Sequence, residues 1–397
     1  MQATDNLYDL QKLTDFRHDM HMHPELAFQE TRTSAKIAEY LLNLGVPKEN
    51  MRKVAITGLV VDIEGTAPPS GKPLCIALRA DMDGLPIKEE NPSVSYKSVT
   101  EAAHMCGHDM HVTCLLGGAS KILEKQHLIP SDKKVRLLFQ PAEETTGGAL
   151  PMIKEGAMEG VDEVYGFHNE PWDKPGKIYV MPGYVMARCT TLDISIIGKG
   201  GHATLVDTDL VNDPLEPAMQ IKMAMKKLVK EYKEKGEKFV LCVQYIKTGN
   251  VRNVISETCE MKGILRTYNE DFCVEIQERL KSMIAEICRE YNCRVDLDFK
   301  SSYPAVFNSE KETEHVVRAA RRVFGEENIS QGKLPLFGGE DFAYFSREKP
   351  GAFFFLASAR NEGDVLHSNN FDANDELIPL ASEMWLRLIE DRFDLNL

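Results

Sequence analysis

Between Ala103 and His111 the chain carries His104, Cys106, His108, Asp109 and His111. Thiolate and neutral imidazole are favoured ligands of zinc and related transition metals. In the spacing Cys106-Gly107-His108 both side chains reach one point if the backbone bends, and glycine permits that bend. His111, one helical turn past His108, fits either a supporting residue or a helix start. A lone histidine such as His18 or His127 is ordinarily a satisfied structural residue. A cluster this dense points to metal.

Three further segments share this character. Gln140-Pro141-Ala142-Glu143-Glu144 places adjacent carboxylates after the apolar run Val135–Phe139. Paired glutamates are commonly a solvated turn. Beside a two-metal site they divide labour, one binding metal and the other holding a proton of the bound water, which ionises near neutrality. Gly166-Phe167-His168-Asn169-Glu170 ends another apolar run, and Leu366-His367-Ser368 lies far away in sequence. Asp81 and Asp83 follow the run that begins at Leu74. Each segment alone has an ordinary structural explanation; their shared place at strand ends argues for one site.

The elements that must carry these residues alternate. Helical spacing runs from Leu7 to Leu44, broken at His23-Pro24, and recurs at Val112–Leu123, Glu312–Phe324 and Leu377–Arg392. Short apolar runs at Gly58–Ile63, Leu74–Leu78, Val135–Phe139, Val164–Phe167 and Gly351–Ala357 read as strands. This predicts an α/β domain with a mostly parallel sheet flanked by helices, whose functional groups gather at strand ends. Between them the order is strand Thr190–Ile197, helix Pro214–Lys235, strands Phe239–Tyr245 and Cys259–Tyr268, helix Asp271–Tyr291 and strand Cys293–Phe299. That β-α-β-β-α-β order predicts a smaller α+β, ferredoxin-like insert. The expected organisation is a discontinuous catalytic domain, 1–187 and 302–397, with an inserted lid or dimerisation domain at 188–301.

Length and composition agree with a two-domain globular chain. At 397 residues the chain exceeds what one core usually organises. Lysine and arginine total 47 against 61 acidic residues, a net charge of −14, which disfavours nucleic acid and anionic lipid as partners. No segment approaches the roughly 20 apolar residues of a membrane span. The opening MQATDNLYDLQKL has neither a basic leader nor an apolar run, so the chain reads as cytoplasmic. Nine scattered cysteines without a C-x-x-C pair fit a reducing compartment, where most are small buried apolar residues.

Taken in order, the motifs resemble those of a known family. They are His21-Met22-His23-Pro24-Glu25-Leu26, Arg79 to Pro86, His104 to Asp109, Gln140 to Glu144, Gly198-Lys199-Gly200-Gly201-His202-Ala203, Gly339 to Phe345 and His367 to Phe371. The chain is similar to the metallo-amidohydrolases and peptidases that include aminoacylase and carboxypeptidase G. Within them it is most similar to the branch of hippurate hydrolase and the indole-acetyl-amino-acid hydrolases.

The resemblance implies that Cys106, His108, Glu144, His168 and His367 bind two divalent ions, with Cys106 bridging them. It implies that Glu143 is the general base that activates water and then protonates the leaving amine; which glutamate is the base follows from the resemblance alone. His202 would stabilise the oxyanion, often across a dimer interface, while Asn253 and Arg266 would hold the substrate's carboxylate or carbonyl. The expected reaction is hydrolysis of an N-acyl amino acid, or a similar small amide, to a carboxylic acid and an amino acid. The expected ions are zinc, manganese, cobalt or nickel, and the expected partner is another copy of the chain, in a homodimer or higher homo-oligomer built through the lid. Thr204-Leu205-Val206-Asp207 stands where the family has Pro-His, Ser256 where a proline follows Asn-Val-Ile, and Ile264-Leu265 within a Gly-Thr-x-Arg pattern. These departures bear on substrate preference and leave the metal motifs untouched. Two other readings compete: Cys106 as a nucleophile with His104 or His111 as its base, and a non-catalytic metal-dependent binding or scaffold protein.

Overall fold

The apolar runs Leu74–Asp81, Lys133–Gln140, Glu163–Glu170 and Gly351–Ala357 are almost wholly buried strands in the computed structural model, which describes residues 7–145 and 147–395. The first six residues of the opening stretch read for a leader lie outside the described residues. Strands buried on both faces suit a parallel sheet covered by helices. These four pair in parallel, in the spatial order Lys133, Leu74, Glu163, Gly351. All four therefore end along one edge, at Gln140, Asp81, Glu170 and Ala357.

The sheet is parallel at its centre and mixed at its flanks. Gly58–Glu64 and Met51–Val54 add antiparallel on one side. On the other, Ile178–Tyr179 runs antiparallel to the Gly351 strand and parallel to Ile329–Ser330. The antiparallel flank at Met51 is a hairpin through Ala55 and Ile56, both with positive φ (48° and 70°). Neither is a residue that favours this conformation, so the first strand of the hairpin carries no turn signal in the sequence.

Helices cover the sheet. Leu10–Met22 is capped by Asp9, whose side chain accepts from the Lys12 N–H at 3.1 Å, and it stops just before Pro24. Helix His108–Glu124 is buried on nearly every side and lies against the helix Leu377–Phe393. The two approach through Gly117 and Gly118. A Cβ on Gly118 would sit 2.7 Å from the Trp385 Cβ, and one on Gly117 would sit 3.0 Å from the Ser382 Cβ. Trp385 then packs on Phe167 and Phe354 of the sheet, at centroid distances of 5.7 and 5.5 Å. Helix, helix and sheet thus form one core.

The chain divides into two compact units: residues 1–185, 306–334 and 341–397, and residues 186–305 with 335–340. The smaller unit has an antiparallel sheet in the order Val240–Thr248, Thr258–Thr267, Arg188–Ile197, Arg294–Ser301. Helices Leu215–Glu234 and Glu270–Glu290 bring Ile221, Met225, Ile276 and Leu280 into a core with Leu192, Ile194 and Ile196. Inward positions alternate with Thr191, Asp193 and Ser195, as a sheet with one covered face requires. This is the ferredoxin-like arrangement. Residues 335–340, assigned above to the larger domain, group with the smaller unit. There the Ala187 N–H donates to the Gly338 carbonyl (2.9 Å) and Tyr268 Oη donates to the Pro335 carbonyl (3.3 Å). No helix among the described residues is long and apolar enough to cross a membrane.

The helix contact gives a test of packing. Alanine exceeds glycine in helix propensity by about 1 kcal/mol, yet Gly118→Ala forces a methyl against the Cβ of Trp385. The expected outcome is a net destabilisation of about 1–3 kcal/mol in urea unfolding. A stabilised variant would mean that the two helices separate freely.

Candidate active site

Each candidate side chain in the larger unit lies in a segment near the edge where the parallel strands end. Asp83, two residues past the Leu74 strand and buried, organises two of the segments. Its carboxylate oxygens accept the backbone N–H groups of Glu143 and Glu144, both at 3.1 Å. Its Oδ1 also lies 3.2 Å from Nδ1 of His108. Asp81 takes Arg79 Nη1 at 2.7 Å and His111 Nδ1 at 2.5 Å. Arg79 also donates from Nε to Gln140 Oε1 (2.9 Å) and from Nη2 to Asp341 Oδ1 (3.0 Å), tying strand ends together.

These contacts fix which ring nitrogens carry hydrogen. The Asn169 N–H donates to His111 Nε2 at 2.9 Å, so the hydrogen of His111 sits on Nδ1 and goes to Asp81. Both nitrogens of His111 are thus engaged, and it is a supporting residue. His168 Nδ1 donates to the Asn169 carbonyl at 2.7 Å, leaving Nε2 bare, 3.2 Å from Cys106 Sγ. His108 Nδ1 faces Asp83, and its buried Nε2 makes no hydrogen bond among the described residues. Rings held through one nitrogen by a carboxylate or carbonyl present the other to a metal. His367 arrives on a backbone with φ of 62°, anchored by its N–H to the Met105 carbonyl at 2.7 Å. Its Nε2 lies 3.3 Å from Cys106 Sγ and 3.1 Å from Glu144 Oε1.

The donors form two overlapping groups that share one sulfur. Cys106, His108 and His168 have donor atoms within 4.8 Å of one another, and so do Cys106, Glu144 and His367. Glu143 joins the cluster through a third group, His108, Glu143 and Glu144, at the same spacing. All five candidate ligands and the candidate base therefore converge. Gly107 is required between Cys106 and His108 for two reasons: its φ is 89°, and a Cβ there would lie 2.2 Å from Asn169 Oδ1.

The electrostatics of the cluster suit cations. Burial pushes the Cys106 thiol well up, and the charges of Glu144 and Glu143 push it further. Burial opposes charge on His108, yet Asp81, Asp83 and Glu144 outweigh it and hold the ring up to about 10. Burial, then the neighbouring His111 and His108, drives His168 down to about 3. Glu144 is held down to about 2 against the effect of burial, by His367 and His108. A divalent ion is the partner that lets a buried thiol ionise and a neighbouring imidazole give up its proton. The residues therefore fit a metal centre with mixed N, O and S donors.

The other three candidates lie in the smaller unit. His202 is exposed, with Nδ1 2.9 Å from Thr204 Oγ1, and its strand pairs with Val254. The Ala203 N–H donates to the Asn253 carbonyl at 3.0 Å, so His202 and Asn253 share one short ladder. Arg266 lies on the Thr258–Thr267 strand, half-buried; burial lowers its pKa, and it makes no ion pair among the described residues.

Several supporting residues escaped the sequence reading. Arg17 is fully buried, with Nε 3.1 Å from Asp109 Oδ2 and Nη1 2.5 Å from Asp375 Oδ1, and it also pairs with Asp372. Its signal was present: Leu13, Arg17, Met20 and His21 make one buried helical stripe, and a charge in such a stripe needs partners. Asp341, which accepts from Arg79, Gln140 and the Ala149 N–H, lies in the Gly339 to Phe345 motif, which marks the segment but not these partners.

Comparison with known proteins agrees with this geometry. Residues 77–391 match the model of peptidase family M20/M25/M40. A thermostable carboxypeptidase of Saccharolobus solfataricus is 32% identical over 385 residues, covering 94% of each chain. The hippurate hydrolase of Campylobacter jejuni is 30% identical over 393 residues, covering 98% of each. Among solved structures, a dinuclear metal-binding peptidase of family M20 from Bacillus subtilis is 27% identical with a TM-score of 0.81, covering 98% of this chain and 99% of that one. The chain belongs to peptidase family M20/M25/M40 and is a metal-dependent hydrolase of amide bonds.

Proposed function

We propose that this enzyme hydrolyses N-acyl amino acids to a carboxylic acid and an amino acid, in the cytoplasm, and that Cys106, His108, Glu144, His168 and His367 would hold two divalent ions, Cys106 being common to both donor groups. One observation carries the reading: donor atoms from segments scattered between residues 106 and 367 meet around one sulfur, with Glu143 beside them. The similarity to a hippurate hydrolase, whose name is that of an N-acyl amino acid hydrolase, supports the substrate class. When bound, the two ions polarise the amide carbonyl and acidify a water for attack.

The chain's own groups do the rest. Glu143 takes a proton from the attacking water and returns it to the departing amine nitrogen. His202 donates to the oxyanion. Asn253 and Arg266 hold the substrate's carboxylate or carbonyl oxygen, a role suited to a guanidinium without an ion-pair partner in its own unit. Thiolate softness favours zinc, with manganese, cobalt and nickel as exchangeable occupants. A homodimer forms through the smaller unit, whose helix Leu215–Glu234 exposes Met219 and Met223 one turn apart.

Three outcomes test this reading. Glu143→Gln keeps the metal and loses about 100- to 10,000-fold in kcat on a panel of N-acyl amino acids; near-normal turnover removes Glu143 from the role of base. Asp83→Asn, which weakens the hold on His108, lowers metal affinity by roughly 10- to 100-fold in chelator competition, and an unchanged affinity would separate Asp83 from the metal centre. Chelator treatment abolishes hydrolysis and readdition of zinc or manganese restores it. Retention of activity after metal is stripped would instead favour a thiol nucleophile.

A further inference from the structure

The loop that carries both glutamates has an unusual backbone. Ala142 has φ of 57°, in the left-handed region, where an alanine gains nothing from its own side chain. Its N–H donates to Glu30 Oε1 at 2.9 Å. Glu30 is fully buried, and its Oε2 accepts from Thr57 Oγ1 at 2.6 Å, next to the Gly58–Glu64 strand. The next two amides, of Glu143 and Glu144, donate to Asp83. Three successive N–H groups of one loop thus end on two buried carboxylates. The Gly147 N–H closes the loop on the Ala142 carbonyl at 3.0 Å.

We propose that Glu30 is a positioning residue for the hydrolytic reaction: by holding Ala142 left-handed, it aims Glu143 and Glu144 into the donor cluster. The inference rests on the reading of Glu143 as base and Glu144 as ligand. The physical reason lies in the geometry of the peptide. If Ala142 relaxed to negative φ, the peptide planes after it would rotate, and the amides of Glu143 and Glu144 would leave Asp83. The two carboxylates would then diverge from His108 and Cys106. Glu30 supplies the acceptor that offsets the left-handed strain, and Thr57 fixes Glu30 to the sheet. A glutamine of the same shape keeps an oxygen to accept the Ala142 N–H and turns its NH2 toward Thr57 Oγ1, which can accept, so it preserves most of the arrangement.

The test uses the full-length, metal-loaded enzyme, with kcat and KM on the N-acyl amino acid panel and calorimetric titration of manganese alone into metal-free protein. Glu30→Ala is expected to lower kcat and manganese affinity by roughly 10- to 100-fold, with circular dichroism unchanged. Glu30→Gln is expected to stay close to the parent in both. Adding Ala142→Gly to Glu30→Ala is expected to recover part of the loss, because glycine enters the left-handed region without strain. A purely structural role for Glu30 would not produce that recovery. Parent-like kcat and affinity in Glu30→Ala overturn the proposal, and so does a loss that neither Gln nor Ala142→Gly repairs. If Glu30→Ala fails to fold, Thr57→Val unties the same link; it should lower kcat several-fold and be repaired by Ala142→Gly, and an unchanged kcat is a refutation. An inactive Glu143→Gln beside a normal Glu30→Ala sinks this inference alone, whereas an active Glu143→Gln sinks the reading beneath it.

Discussion

Carboxylates buried where parallel strands end must be met by buried positive charge, and Arg17 and Arg79 meet them. Neither arginine has any exposed surface. Arg79 joins Asp81, Gln140 and Asp341, and through Asp81 it sets His111. Arg17 joins Asp109, the neighbour of His108, to Asp372 and Asp375, which follow His367. The segments bearing His108 and His367 are thereby tied to one guanidinium. Removing one member of such a pair leaves an uncompensated charge in the interior, at a cost of about 3–5 kcal/mol. The geometry of the site is therefore inseparable from the stability of the domain.

Cys106 illustrates how that setting decides chemistry. A nucleophilic thiol needs a base and an environment that favours its thiolate. Neither of the two candidates for that base is bonded to the sulfur: His111 has both nitrogens engaged elsewhere, and the ring nitrogens of His104 make no hydrogen bond among the described residues. The histidines that reach the sulfur are His168 and His367, each through Nε2. Surrounded by carboxylates that oppose its ionisation, the sulfur makes sense as a donor to a cation.

Much of this was legible in the sequence because chemistry and folding left the same mark. An apolar run followed at once by His or Glu, as at Phe139-Gln140 to Glu144 or Phe167-His168, is both a buried strand and its functional exit. The α/β pattern and the ferredoxin-like order were readable for the same reason, since long periodic segments bury one face. What escaped lacked periodicity or turn residues. The Met51–Val54 strand joins its partner through Ala55 and Ile56, which give no hairpin signal. The helices Ala149–Lys154 and Phe342–Glu348 are too short for a helical period to show. Segment 335–340 groups with the smaller unit through the Ala187–Gly338 hydrogen bond and through Tyr268, whose hydroxyl meets the Pro335 carbonyl and whose ring meets Phe337, partners far away in sequence. Glu30 and Arg17 are single polar residues whose partners lie far away in sequence, and only the folded chain reveals those partners.

The contact between Arg17 and Asp375 spans 358 positions of the polypeptide. Closing so large a loop adds little to the equilibrium cost, because that cost grows only logarithmically, but pairings of this range are slow to form. Until that clasp closes, His367 is not held beside its neighbours. In that interval Cys106 stands without its full complement of partners, open to oxidants and to stray soft ions. The enzyme's vulnerable moment is thus its own maturation, before the two ends of the molecule have met.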